Sequence, residues 1–268
     1  MSNNFLDRYE LIKLNKSNCY SDTYHGYDKA LKIDVSIQIY NEDVLKEYPD
    51  LVDKYDKLAN LSHPNILKIY NIAYNEYGQV CVIFEYLDYA NLYQVLKVRN
   101  LREDDISYIF YQICDAISFA HKNSIFHGKI YFKDIFVDSN NTTKIGGYNF
   151  GASVESDISY LGEFLDNIFR MDDENNFSKD ISEIRDKCIY NKYKNVNQIM
   201  ADLEKTNKAL DQAVPVKRSR LKNNYSDHSN KRTDKDSKKK HSIFLTYFLP
   251  IILALIVTIL LVKLINLL

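Results

Sequence analysis

Apolar and polar residues alternate along the early part of the chain and change period after residue 100. In "ALKIDVSIQIY" (30–40) an apolar side chain returns at every second position, which predicts a strand with one buried face. "NILKIYNIAY" (65–74) and "QVCVIFEY" (79–86) carry strand-like runs on either side of the turn sequence Asn75-Glu76-Tyr77-Gly78, and so predict a hairpin. In 102–123 the spacing becomes helical: Ile106, Ile109, Phe110, Ile113, Ile117 and Ala120 share one face, with acidic residues in the first turn. "SDISYLGEFLDNIF" (156–169) is apolar nearly all round and predicts a buried helix with Ser156 as its N-cap. "VNQIMADLEKTNKAL" (196–210) predicts a last amphipathic helix. Strands first and helices after indicate an α+β fold, with a sheet lobe and a helix lobe.

The last part of the chain follows other rules. "IFLTYFLPIILALIVTILLV" (243–262) is an uninterrupted charge-free run, the length a helix needs to cross a bilayer, and Pro250 would kink it without preventing insertion. It predicts a transmembrane helix over 243–263 acting as a tail anchor. The preceding stretch, 211–242, has almost no apolar content and predicts a disordered juxtamembrane linker.

Composition sharpens this division. The chain is 46% apolar and 26% charged, enough for a real core. Net charge is −1, yet residues 1–210 carry 24 Lys and Arg against 32 Asp and Glu, while 211–242 carry 10 against 4. Basic residues crowding against the apolar run, ending in Lys238-Lys239-Lys240, place the N-terminal domain in the cytoplasm and suit anionic lipid headgroups. The stalk has little of the aromatic interleaving of a nucleic-acid binder, so a membrane and not a nucleic acid is the expected partner. Cys19, Cys81, Cys114 and Cys188 form no C-x-x-C pair, so they predict buried reduced thiols and neither a zinc site nor a disulfide framework.

Several words in order resemble the eukaryotic-type protein kinase superfamily, close to membrane-bound bacterial serine/threonine kinases: "LSHPNILKIYNI" (61–72), "CVIFEYLDYANLYQVL" (81–96), "YQICDAISFAHKNSIFHGKI" (111–130), "SDISYLGEFL" (156–165) and "YKNVNQIMADLEKTNKAL" (193–210). The resemblance implies a bilobal kinase-like domain over 5–210, with a small β-rich N-lobe and a shortened helical C-lobe.

It also implies where catalytic residues should stand, and at those positions the chemistry is missing. The phosphate-covering loop falls on "LNKSNCYSDTYHG" (14–26), whose only glycine, Gly26, lies beyond the tip; Ser17, Asn18 and Cys19 would crowd a nucleotide and Asp22 would repel it. The phosphate-holding lysine of the third strand corresponds to Gln38, and its acidic helix partner to Lys54, with Asp53 and Asp56 beside it. "HGKIYFKD" (127–134) corresponds to the catalytic loop. His127 remains as a structural residue, Lys129 stands at the general base, Tyr131 at the loop lysine and Asp134 at the metal-ligating Asn. A lysine is protonated at neutral pH and accepts no proton.

The magnesium ligand corresponds to Gly147 in a gapless register, Gly147-Tyr148-Asn149, or to Asn149 if two residues are inserted, Asn149-Phe150-Gly151. Either Tyr148 or Phe150 would pack against His127. The activation segment is nearly absent, whereas Asp157, the buried helix acid that holds the catalytic-loop backbone in the family, is retained.

These losses imply a degenerate member, a pseudokinase with no intact catalytic residue, no bound metal and no ATP or Mg²⁺ cofactor. The leading expectation is a membrane-tethered scaffold or regulator that binds a cytoplasmic protein, an active kinase among the candidates. One alternative is an unconventional or residual ATP-binding serine/threonine kinase, in which Asp134, Asp157 or Asn149 holds a metal and Lys32 or Lys144 meets phosphates. Another is a nucleotide sensor that uses the hinge "FEYLD" (84–88) for adenine.

Overall fold

The structure, a computed structural model, describes residues 5–148, 153–171 and 177–206. The chain divides into units 1–215 and 216–268, and all described residues belong to the first. The expected linker (211–242), the expected membrane segment (243–263) and the possible ligand Asn149 with Phe150 and Gly151 lie outside the described residues. Among the described residues no helix is long and apolar enough to cross a membrane.

After a short helix α1 (Phe5–Arg8), five antiparallel strands form one sheet: β1 (Tyr9–Ser17), β2 (Ser21–Asp28), β3 (Ile33–Tyr40), β4 (Ile69–Tyr74) and β5 (Val80–Glu85), in the order β1-β2-β3-β5-β4. Helices α2 (Val44–Glu47) and α3 (Leu51–Ala59) lie between β3 and β4 in sequence. Strand parity sorts the side chains. Val35 and Ile37 turn to one face and bury with Phe5, Tyr9, Cys81 and Ile83. Tyr40, two residues from Gln38 on the opposite face, joins Val82, Phe84 and Tyr55 of α3 in the main core.

That core continues into α4 (Leu92–Val98), α5 (Glu103–Lys122), α6 (Val154–Met171), α7 (Lys179–Ile189) and α8 (Val196–Thr206). A second sheet of β6 (Ala90–Asn91), β7 (Ile135–Val137) and β8 (Thr143–Ile145) sits beside them. The architecture is the α+β arrangement of a sheet lobe and a helical part that the periodicities indicate.

Three local details differ from the sequence reading. The strand expected at 30–40 begins at Ile33, because the Asp28 carboxylate accepts the N–H groups of Ala30 (2.9 Å) and Leu31 (3.0 Å) and closes a turn before it. Ser156 is not the N-cap of the buried helix, which starts at Val154. Ser153 Oγ accepts from Ser156 N and Ser156 Oγ accepts from Ser153 N, each at 3.2 Å, so the capping exchange sits three residues earlier. Cys19 is exposed at a hairpin tip, whereas Cys81, Cys114 and Cys188 are buried free thiols.

Helices α6 and α7 meet at Gly162. A methyl group there would stand 2.8 Å from the Ile189 backbone nitrogen and 2.9 Å from Cys188 Cβ, so the close approach requires glycine.

Candidate functional site

The site is the cleft between the Gln38 face of the five-stranded sheet and the loop that leads from α5 to β7. Asp157, fully buried on α6, fixes that loop. Its carboxylate accepts from His127 N (2.7 Å) and Gly128 N (2.8 Å) and pairs with His121 Nε2 (2.7 Å). His127 is also fully buried. Burial pushes its pKa below the ordinary value despite the Gly146 carbonyl and the Asp157 charge, so the ring is neutral and Nε2 donates to Gly146 O at 3.0 Å. Tyr148 packs on this imidazole with ring centroids 4.3 Å apart. Of the two aromatic residues expected against His127, Tyr148 makes the contact and Phe150 lies outside the described residues.

Gly147 has φ +67°, and a Cβ built on it would collide with the Asp134 side chain. Asp134 comes from a 3₁₀ turn, Phe132–Asp134, and accepts Gly146 N through its backbone oxygen at 2.9 Å. Its carboxylate thus occupies the space into which a side chain at 147 would project. Lys16 reaches it from β1 (Nζ to Oδ1, 3.7 Å), crossing from the sheet side to the loop side. Lys129 is exposed, and its ammonium lies 5.7 Å from the Tyr131 ring centroid, with that of Lys133 at 4.9 Å on the same ring.

The sheet side is internally bonded as well. Gln38 Nε2 donates to Ser21 Oγ at 2.8 Å, tying β3 to β2. The turn between β1 and β2 is tight. Asn18 Oδ1 accepts from Tyr20 N (2.8 Å) and Ser21 N (3.0 Å), and Asn18 N donates to Ser21 O (3.1 Å). Two amides of the kind an anion would need are already satisfied by a side-chain carbonyl. Asn41 holds the tip from β3 by donating Nδ2 to Cys19 O (2.7 Å) and N to Tyr20 O (2.9 Å).

Asp22 does not face the cleft as expected. It pairs in register with Ile39 and lines a cavity of about 180 Å³ on the other face of the sheet, because it lies in β2 with strand parity and not in a loop.

On α3, Lys54 forms an ion pair with Asp50 one turn earlier (2.8 Å). The link from β3 to α3 runs instead through Tyr40 Oη and Tyr55 Oη, 2.6 Å apart and buried. Burial pushes both phenols up, Tyr55 to about 12, so both are neutral. Lys144 is committed to Glu85 at 2.6 Å, with both side chains largely buried, and Lys32 lies in the β2–β3 turn, at the opposite end of β2 from Ser21. Between β8 and α6 there are only residues 146–153.

Among the described residues no three His, Cys, Asp or Glu side chains gather in a metal-holding group. The structure brings His127, Asp157, Asp134 and Gly147 together and pairs Lys54 with Asp50 at the start of α3. The sequence reading missed Lys16, Ser21, Asn41 and the Tyr40–Tyr55 pair. Only Asn18 had a local signal, an Asn two residues before the amide it caps.

A family profile described as "Protein tyrosine and serine/threonine kinase" matches residues 13–165. Among curated proteins, human NUAK family SNF1-like kinase 1 is 26% identical over 158 residues, 58% of this chain and 24% of its own length. CBL-interacting protein kinase 25 of Oryza sativa subsp. japonica is 25% identical over 161 residues, 57% of this chain and 31% of its own. The Aurora kinase of Eremothecium gossypii is 31% identical over 143 residues, 53% of this chain and 37% of its own. The chain spans about a quarter to a third of the length of these relatives.

Proposed function

The chain belongs to the protein tyrosine and serine/threonine kinase family, and from that premise we propose that it is a pseudokinase that works by binding. It resembles a bacterial membrane kinase stripped of its chemistry: a pseudokinase domain over 5–210, a basic linker over 211–242 and a membrane helix over 243–263 that holds the domain at the cytoplasmic face. Its partner is a cytoplasmic protein, with an active kinase as the leading candidate. Tethering confines both to a thin layer and raises their effective concentration without new contacts. It uses no ATP or Mg²⁺ as cofactor and binds no nucleic acid.

One observation carries this reading. Asp134, paired with Lys16, fills the place of the side chain that Gly147 lacks. Kinase catalysis is positioning and electrostatics around a metal-bound triphosphate, and here a carboxylate pairs with a half-exposed lysine of the same chain. Gln38 turned to Ser21, and Lys129 where a base would stand, point the same way. Loss of a general base alone costs about 10²–10⁴ in rate. With the metal carboxylate and phosphate lysine also gone, a kinase turning over at roughly 1–100 s⁻¹ falls toward background.

The test is incubation of the detergent-solubilised full chain with radiolabelled ATP and Mg²⁺ or Mn²⁺, alone and with generic protein substrates. No label is expected on chain or substrate, and stoichiometric label on either would establish a residual kinase instead. Cell fractionation tests the tether: the full chain should pellet with membranes, and a chain ending at residue 242 should not.

A further inference from the structure

We propose that the Tyr40–Tyr55 hydroxyl pair is the device that holds α3 against the sheet, in an arrangement that does not depend on a bound nucleotide. Part of this, the independence from nucleotide, rests on the pseudokinase reading. The pairing itself does not.

The geometry is specific. Tyr40 ends β3 and Tyr55 lies in the middle of α3, and their oxygens are 2.6 Å apart inside the main core. The Tyr55 ring also meets Phe84 of β5 edge-on, with centroids 6.1 Å apart, so one side chain bonds one strand and packs on another. Tyr40 is followed directly by Asn41, which pins the β1–β2 tip. Tip, strand end and helix therefore form one bonded frame.

Two neutral phenols suit this task where an ion pair would not. Their contact does not depend on a bound anion to balance charge, and burial keeps both protonated across the physiological range. Gln38, on the same face two residues earlier, bonds to Ser21 of β2, while the tyrosines bond β3 to α3 beside the core packing of Leu51 and Leu58.

Hydrogen exchange of the full chain in detergent, without nucleotide, tests the pair. Tyr55→Phe strands the Tyr40 hydroxyl in the core, and the amides of 51–59 should exchange about tenfold faster than in the wild type. Tyr40→Phe should act on the same amides, which guards against one variant failing to fold. Tyr9→Phe is the control, since it removes a buried hydroxyl bonded to Asn71 on the other face of the sheet and should leave α3 unchanged.

In the double Tyr40→Phe/Tyr55→Phe variant the acceleration should be smaller than the product of the single effects. Unchanged α3 exchange in both single variants, an equal effect from Tyr9→Phe, or multiplicative single effects would each overturn the proposal. Added MgATP should not slow α3 exchange in the wild type. If it did, the pseudokinase reading would fail while the tyrosine comparison, made without nucleotide, would stand.

Discussion

Asp134 and Gly147 share one volume, and each explains the other. Gly147 adopts a left-handed φ of +67° that any Cβ would strain, and a side chain there would run into Asp134. A carboxylate at 147 therefore meets an occupied space. Gly147→Asp should lower stability by about 1–3 kcal/mol, read as a lower urea midpoint with unchanged slope. It brings backbone strain, a steric conflict and a second negative charge against the first. Adding Asp134→Ala to that variant should recover part of the loss. A midpoint equal to that of the wild type would mean that the two positions are independent.

At the same scale, His127 and Asp157 have a structural role that does not depend on phosphate transfer. His127 and Asp157 close buried hydrogen bonds, and an unmet buried donor is costly whether or not the protein transfers phosphate.

Among the elements, α6 and α7 come closest at Gly162, where only a hydrogen atom faces the Ile189 backbone. Gly162→Ala should push them apart and cost about 1–3 kcal/mol by thermal or urea unfolding, because the obstacle is the Ile189 backbone and not a flexible side-chain end. A neutral result would mean the helices have room to separate. Element type was legible in the sequence wherever one face is buried: the two-residue period of β3, the hairpin of β4 and β5, and the long apolar face of α5 are all present.

What escaped is short in range or long in reach. The Asp28 side chain takes residues 30–32 out of β3, and Ser153 takes the cap of α6 from Ser156, by hydrogen bonds that periodicity does not register. The kinase resemblance puts Asp22 in a phosphate-covering loop, beside the cleft. As a strand residue it follows Ile39 to the other face. The contacts of Lys16 with Asp134 and of Tyr40 with Tyr55 join residues far apart in sequence, so no local pattern encodes them.

At the scale of the whole molecule, the two lobes enclose a cleft whose polar groups already answer one another. Lys16 meets Asp134, Gln38 meets Ser21, and the Tyr20 and Ser21 amides meet Asn18. On the proposed reading, a metal-bound triphosphate would have to break several of these contacts. Individually they are weak: a half-exposed pair such as Lys16–Asp134 contributes roughly 1 kcal/mol or less.

The direct measurement is the melting temperature of the detergent-solubilised full chain against rising MgATP. A ligand at 100 times its dissociation constant stabilises by about 2.7 kcal/mol, enough to move the transition by several degrees in a domain of this size. The account predicts no MgATP-dependent shift up to millimolar nucleotide. A saturable rise in melting temperature that needs both Mg²⁺ and the triphosphate would contradict it.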